Sequence, residues 1–404
     1  MQGNIFFNYI LRWIHFVTNS KETDIADFSN SPHWDSVFNT WYAKGSSFRS
    51  LDTLEGRPNT IFQRWLQHPS FDSYWQNRTS YASDFSKINI PVLTTTGYFD
   101  GQLSGAMYYY QQHFLNNPKA DHYLVIGPYD HFGAFSFPEV NLNGYKVDSV
   151  ATAFNFYELS IQWFNYTLKD SAKPALLQDK VNYEVMGANE WKHVPSLSAM
   201  SNDTLTFYFG NTRVNEHYRL DTVAETNDYI KQEVDFKDRS DNFFYEYIKP
   251  VDTVINKHNS ITFISQPFDK PFIINGAFTA QLETAINKKN MDIVIWMYEL
   301  MPDGKYFNLG YSTQRASYAK DRSTRQLLQP GKKERVPIPY SFMTGKLFSK
   351  GSRLIITLGI MKNCEWQINY GTGKDVSDET IADASEPLQI KWFADSFIKV
   401  PVFK

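Results

Sequence analysis

The rhythm of apolar and polar positions changes twice along the chain. Over residues 1 to about 87 apolar side chains recur at helical spacing, as in Phe6, Ile10, Trp13 and Val17, which predicts an amphipathic helix near the start. Trp34, Trp41, Trp65 and Trp75 anchor the rest of this stretch. Turn signals at Gly45, Arg57–Pro58 and His68–Pro69 cut it into short helices. The expectation is a helical cap, not a sheet.

From residue 88 the period shortens. Ile88–Thr96 is a β-branched run closed by Gly97. Leu103, Met107, Tyr110 and Phe114 then mark a helix that Asn116–Asn117–Pro118 stops, and His122–Pro128 is a second apolar run. A further helical pattern puts Phe154, Ile161, Phe164 and Leu168 on one face. Strand, helix, strand and helix in this order predict parallel pairing across a buried sheet over 88–178. From about 179 onward helical spacing fades. Short runs such as Val181–Met186, Leu205–Phe209, Ile261–Ile264, Ala277–Leu282, Ile293–Tyr298, Leu354–Leu358 and Leu388–Trp392 read as strands, with a hairpin turn at Pro302–Asp303–Gly304. Residues 179–404 are therefore expected to form a β-sandwich, read as a jelly roll. The fold class is α/β plus all-β.

Composition sharpens this picture. The 404 residues suggest two or three domains at roughly 150 residues each. With 40 basic and 43 acidic side chains and no basic block, nucleic acid is excluded as the main partner. Cys364 is the only cysteine, so neither an intrachain disulfide nor a thiolate zinc cage can form. The apolar opening run Asn4–Val17 carries Arg12 and His15 and is shorter than the ~20 residues a membrane span needs. No signal peptide is read, no membrane partner is expected, and compartment is left open, with export a matter for any leader in a longer precursor.

Two polar residues carry the chemistry. Asp100 follows the first strand in Gly97–Tyr98–Phe99–Asp100–Gly101, and His131 follows the second in Gly127–Pro128–Tyr129–Asp130–His131. Parallel neighbours joined by one helix end at the same edge of a sheet, where open α/β sheets place their ligand sites. A carboxylate there can hold an imidazole in one tautomer and stabilise its protonated form. Asp100 could instead cap the following helix, His131 could be an ordinary loop histidine, and Asp130 is a rival for the acid role. A metal site on Asp100, Asp130 and His131 has no further ligand cluster to complete it. A serine nucleophile requires the elbow G-x-S-x-G. The nearest match, Ser47 in Gly45–Ser46–Ser47–Phe48–Arg49, has bulky Arg49 where the turn needs a small residue, and Cys364 lacks the elbow altogether.

Several stretches, in order along the chain, resemble the X-Pro dipeptidyl-peptidase and cocaine esterase family of serine hydrolases. They are His68–Trp75, Ile90–Leu93, Gly97–Gly101, Leu124–His131, Val185–Trp191, Ile261–Pro267 and Leu300–Gly304. The resemblance implies an α/β-hydrolase domain with an inserted helical cap and a C-terminal jelly roll. It implies cleavage of esters or amides through an acyl-enzyme, with no cofactor. Asp100 and His131 match the family's acid and histidine, and Trp13 in Ile10–Leu11–Arg12–Trp13 matches a cap tryptophan lining the acyl pocket. Implied substrates are small esters, amides or peptides.

By comparison with that architecture the chain starts at the cap. The nucleophile elbow and the oxyanion donors are expected to lie outside it, either lost or supplied by a separate upstream segment. The alternative is a non-catalytic protein whose jelly roll binds carbohydrate or a protein partner. A sheet reduced to two strands should also self-associate, making a second copy a further candidate partner.

Overall fold

The computed structural model of the protein describes residues 3–18, 24–225, 228–241 and 249–404. Its first part is helical: α1 (Tyr9–Thr18), α2 (Ile25–Phe28), α3 (Ser31–Lys44), α4 (Leu51–Glu55), α5 (Thr60–Leu66) and α6 (Ser73–Gln76). Local chemistry sets the ends of α3. The Asn30 side chain accepts from the His33 N–H, a proline opens the first turn, and Gly45 closes the helix at φ 61°. A Cβ at Gly45 would lie 2.4 Å from Ile381 Cβ, because the helix end docks on the β region, where Ile381 N–H donates to Gly45 O at 2.8 Å. Trp34 and Trp41 are buried. The face expected for α1 is only partly the buried one. Ile10, Leu11 and Ile14 face inward, while Trp13 and Val17 are 42% and 43% exposed.

Residues 3–8 tie the cap to the β region: Asn4 Nδ2–H donates to Pro69 O at 3.0 Å and the Phe6 ring lies 6.5 Å from Trp75. Phe7 bridges Trp366, Asn8 N–H donates to Glu365 O at 2.7 Å, and Arg315 N–H donates to Gly3 O at 3.1 Å. Beneath this segment the buried Arg315 guanidinium grips Asp292 with two bonds of 2.9 and 2.8 Å and reaches Gln367 at 3.0 Å. Gln367 Oε1 also accepts from the Phe6 N–H. The paired charge is therefore fully hydrogen-bonded, the condition for burying it without large cost.

The central sheet has four strands in the order β1, β2, β5, β6: β1 (Val92–Gly97), β2 (His122–Gly127), β5 (Val181–Val185) and β6 (Glu190–Val194). A small hairpin, β3 (Asn141–Leu142) with β4 (Tyr145–Lys146), lies between. The strands β1, β2 and β5 run parallel, and β6 returns antiparallel. Two corrections follow. The sheet is not reduced to two strands, and Val181–Val185, expected in the sandwich, continues the α/β sheet in parallel register with β2, where Asn182 Nδ2–H also donates to Leu124 O at 3.2 Å. The helices α7 (Leu103–Asn116) and α9 (Phe156–Lys169) cover opposite faces of β2. Tyr110 of α7 packs on His122, and Trp163 of α9 packs edge-on against Tyr123, one residue later. The short α8 (Ser149–Thr152) precedes α9. Phe156, Leu159 and Trp163 are the buried side of α9, whereas the expected face, Ile161, Phe164 and Leu168, is 61%, 57% and 75% exposed.

Fourteen strands form the second, larger network: β7 (Asp203–Val214), β8 (His217–Asp221), β9 (Tyr229–Val234), β10 (Val251–Asp252), β11 (Ser260–Ile264), β12 (Phe272–Ala277), β13 (Thr279–Ile286), β14 (Asp292–Leu300), β15 (Tyr306–Arg315), β16 (Glu334–Ile338), β17 (Met343–Phe348), β18 (Arg353–Ile360), β19 (Leu388–Phe393) and β20 (Phe397–Phe403). The predicted turn at Pro302–Gly304 joins β14 to β15, which pair antiparallel. The two sheets meet where Met186 N–H donates to Gly345 O at 2.9 Å and Leu347 N–H donates to Met186 O at 3.0 Å. Among the described residues no helix is long and apolar enough to cross a membrane.

Under α7 lies a buried histidine pair. His113 Nε2–H donates to Ile88 O at 3.0 Å, so its Nδ1 accepts from His122 Nδ1–H at 3.0 Å, and His122 Nε2 accepts from the Thr94 hydroxyl at 2.8 Å. Burial, reinforced by His113, pushes His122 down from 6.5 to about 3. The folded protein thus refuses a proton that the unfolded chain takes up below 6.5, and stability is lost as pH falls from there toward 3. His122→Gln should cost about 1 kcal/mol at neutral pH for the lost bond. Its deficit relative to the parent should shrink on acidification, by up to about 1.4 kcal/mol per pH unit. Denaturant titrations at pH 7, 5.5 and 4 measure this, and a constant deficit would clear the histidine of any part in acid lability.

Candidate active site

The site is built by the register of β1 on β2. Val92 sits opposite His122 and the ladder ends with Gly97 opposite Gly127. The chains stay together beyond it: Tyr98 N–H donates to Gly127 O at 2.8 Å and Phe99 N–H to Tyr129 O at 3.1 Å. Such close passage demands the glycine, because a Cβ on Gly97 would lie 1.9 Å from Tyr129 O. The segment after β2 is held from below by Tyr129, whose hydroxyl donates to Ala151 O at 2.9 Å.

Three residues past each glycine or its neighbour, the two chemical groups meet. His131 Nδ1–H donates to Asp100 Oδ1 at 3.1 Å, with the Asp100 side chain 7% exposed and His131 56% exposed. The same Asp100 oxygen accepts from Gln102 N–H at 2.8 Å, so the carboxylate also steadies the turn into α7. Asp100 is not the helix cap that the sequence also allowed: that position belongs to Gln102, which makes no side-chain capping bond. Asp130 does not brace the histidine: its Oδ1 accepts from Gly133 N–H at 2.7 Å and organises the turn that carries His131. Phe132 and Phe135 stand edge-on to the imidazole, each at 5.6 Å, and both are exposed.

A carboxylate on Nδ1–H fixes the tautomer whose Nε2 carries the lone pair, which is the nitrogen a general base uses. That nitrogen belongs to the exposed side of the ring. Among the described residues no hydroxyl or thiol is hydrogen-bonded to His131. Ser47 lies in the cap, its carbonyl taken by Trp41 Nε1–H and by the Ser50 hydroxyl. Cys364 is buried, and burial pushes its thiol up to about 12, away from the reactive thiolate. Trp13 packs with Tyr9, Phe16 and Phe28, and none of its described ring contacts is with the Asp100–His131 pair. Among the described residues no group of three or more His, Cys, Asp or Glu could hold a metal ion. The feature that sequence reading missed is the role of Gly97 and Tyr129. The signal was present as a glycine closing each strand.

Residues 10–133 match the family model for X-Pro dipeptidyl-peptidase (S15 family), and residues 177–359 match that for the X-Pro dipeptidyl-peptidase C-terminal non-catalytic domain. No curated protein matches by sequence. Among solved structures, an alpha-amino acid ester hydrolase superposes with a TM-score of 0.80 at 15% identity, covering 99% of this chain and 69% of that one. An aminopeptidase from the marine sediment archaeon Thaumarchaeota archaeon gives 0.76 at 17% identity, with 91% and 64% covered. A CocE/NonD family hydrolase from Staphylococcus aureus gives 0.58 at 15% identity, with 88% and 62% covered. The fold is thus that of an α/β-hydrolase with a C-terminal β domain, and the chain spans 64% of the archaeal aminopeptidase's length.

The close passage at Gly97 makes a direct prediction. Gly97→Ala should destabilise the protein by about 2 kcal/mol or more through overpacking against the Tyr129 backbone. It should also separate Asp100 from His131, while Gly101→Ala, where a Cβ meets nothing within 4 Å, should change neither. Thermal unfolding of the two variants decides it: equal midpoints would refute the steric account.

Proposed function

The chain belongs to the X-Pro dipeptidyl-peptidase and cocaine esterase family, and from that premise we propose that it carries the histidine and acid of a serine hydrolase cleaving esters or amides. The hydroxyl nucleophile comes from a segment outside this sequence. The single observation that supports this most is the bond of 3.1 Å from His131 Nδ1 to the buried Asp100, which leaves Nε2 facing outward.

In this reading His131 Nε2 takes the proton as the serine oxygen attacks the substrate carbonyl carbon, and the carbonyl π pair moves onto oxygen. The resulting imidazolium is stabilised by Asp100. As the tetrahedral adduct collapses, the bond to the leaving oxygen or nitrogen breaks and His131 protonates that atom, leaving an acyl-serine. Water then repeats the cycle with His131 again as base, releasing the acid and restoring serine. No cofactor takes part. Trp13, half exposed within an aromatic group of the cap, is assigned to the wall of the acyl pocket, and the substrate is a small ester, an amide or a peptide.

Three features support a nucleophile-bearing segment as the missing neighbour. The outer edge of β1 pairs with nothing among the described residues. Phe132, Phe135 and Phe137 are exposed around His131, and the Phe137 ring meets Tyr157 of α9 at 5.5 Å. From Tyr157 the strip continues through Ile161, Phe164 and Leu168 at helical spacing, all exposed.

The test is to express this chain joined to the coding sequence immediately upstream of Met1 and measure ester hydrolysis and labelling by a serine-directed fluorophosphonate. Activity should appear and should fall roughly 10⁴-fold in His131→Ala and Asp100→Asn. Undiminished turnover in His131→Ala, or an upstream region that encodes no serine elbow, would overturn the proposal. The latter result would favour a binding protein.

A further inference from the structure

The segment that presents His131 leaves the sheet at Gly127 and returns to it at Asp148, and the return is unusually well held. Asp148 Oδ2 accepts from Gly187 N–H at 2.6 Å and Asn189 N–H at 3.3 Å. Asn189 Oδ1 in turn accepts from the Ser149 hydroxyl at 3.1 Å and Val150 N–H at 3.0 Å. Gly187 and Asn189 both have positive φ, 81° and 53°, so this turn is shaped to point its N–H groups at the returning chain. Just before the turn, on β5, stands Glu184.

Glu184 is an anomaly. It is completely buried in the middle of the sheet, and neither oxygen of its carboxyl has a hydrogen-bond partner among the described residues. The Asp148 carboxyl lies beside it. A cation near it, Lys346 of β17, is committed elsewhere, to Glu299 at 3.1 Å and to the Leu347 carbonyl at 2.6 Å. The other titratable groups around it offer no positive charge. They are Tyr98 after β1, Tyr129 after β2, Tyr145 of β4 and Glu190 of β6. Two carboxyls side by side in such surroundings cannot both be ionised. Asp148 already accepts two N–H donors, so the negative charge belongs on it and the proton on Glu184.

We propose that Glu184 is held as a carboxylic acid whose O–H donates to Asp148, forming a shared-proton clasp that fixes the returning end of the His131 segment. Glu184 is thus a positioning residue, acting on His131 through Asp148. Above neutral pH hydroxide removes that proton as water, leaving two adjacent carboxylates that repel, and the clasp opens. Burial first, and the Asp148 contact second, push the Glu184 carboxyl up from 4.5 to about 10. The closed clasp therefore keeps a proton that the open form has already lost above 4.5, and closure weakens as pH rises through that interval up to about 10.

The clasp does not need the nucleophile, so its test needs no activity and its failure would leave the hydrolase reading standing. Hydrogen exchange of amides 131–149, corrected for intrinsic exchange, should show protection falling by up to roughly tenfold per pH unit between pH 7 and 9 in the parent chain. Glu184→Gln, whose amide N–H can donate to Asp148 at any pH, should hold protection flat over the same range. Glu184→Leu, which carries no proton to lose, should flatten it as well, at lower protection, and serves if the glutamine variant folds poorly. The same pH slope in the parent and either folded variant would overturn the clasp, as would a flat parent profile.

Discussion

Everything at the carboxyl edge of the sheet depends on how closely the backbones leaving β1 and β2 can run side by side. The Gly97 position tolerates no side chain, and hydrogen bonds from Tyr98 and Phe99 carry the pairing past the last ladder residues. Since both strands run the same way, three residues beyond Gly97 and four beyond Gly127 deliver Asp100 and His131 to one place. A carboxylate fixed by backbone geometry loses little entropy when it orients the imidazole, which is how a weak pair of groups becomes a preorganised one. Any looseness here would be felt directly as a misdirected Nε2.

A second constraint is the burial of polar groups at the places where the parts of the molecule join. Arg315 with Asp292 binds the first residues to the β region, and the His113–His122 pair lies where α7 meets the sheet. The Asp148 carboxylate gathers the turn at Gly187. Each is directional, so each selects one docking of otherwise apolar surfaces, whereas Leu or Phe contacts alone would tolerate small slides.

Much of this was legible in the sequence wherever one physical signal dominated. The helix over Leu103–Asn116 has the bounds its apolar spacing and terminal Asn–Asn–Pro imply, and the order of strand, helix, strand put Asp100 and His131 at one edge. The signal failed where both faces of an element are apolar. In α9 the spacing singled out Ile161, Phe164 and Leu168, but Phe156, Leu159 and Trp163 form an equally apolar side and that side packs on β2. Continuity in sequence also hides a long-range bridge such as Phe7 to Trp366, which no local spacing announces. In β15 buried Asn308, Ser312, Thr313 and Gln314 dilute the apolar pattern, whereas β20 does alternate, with Ile398, Val400 and Val402 buried, but Pro401 breaks its strand signal.

The exposed face of α9 has an energetic meaning that the sheet alone does not supply. Burying a large aliphatic or aromatic side chain gains about 1.5–3 kcal/mol, so Tyr157, Ile161, Phe164 and Leu168 with Phe137 form a surface on which a covering segment gains substantial free energy. Phe135 and Phe132 form a second exposed group against the ring of His131. Asp100 and His131 are in place without any such segment, because their geometry is set by β1 and β2. The ordering cost of bringing a carboxylate and an imidazole together is therefore met by the strand register itself, whatever the pair acts upon.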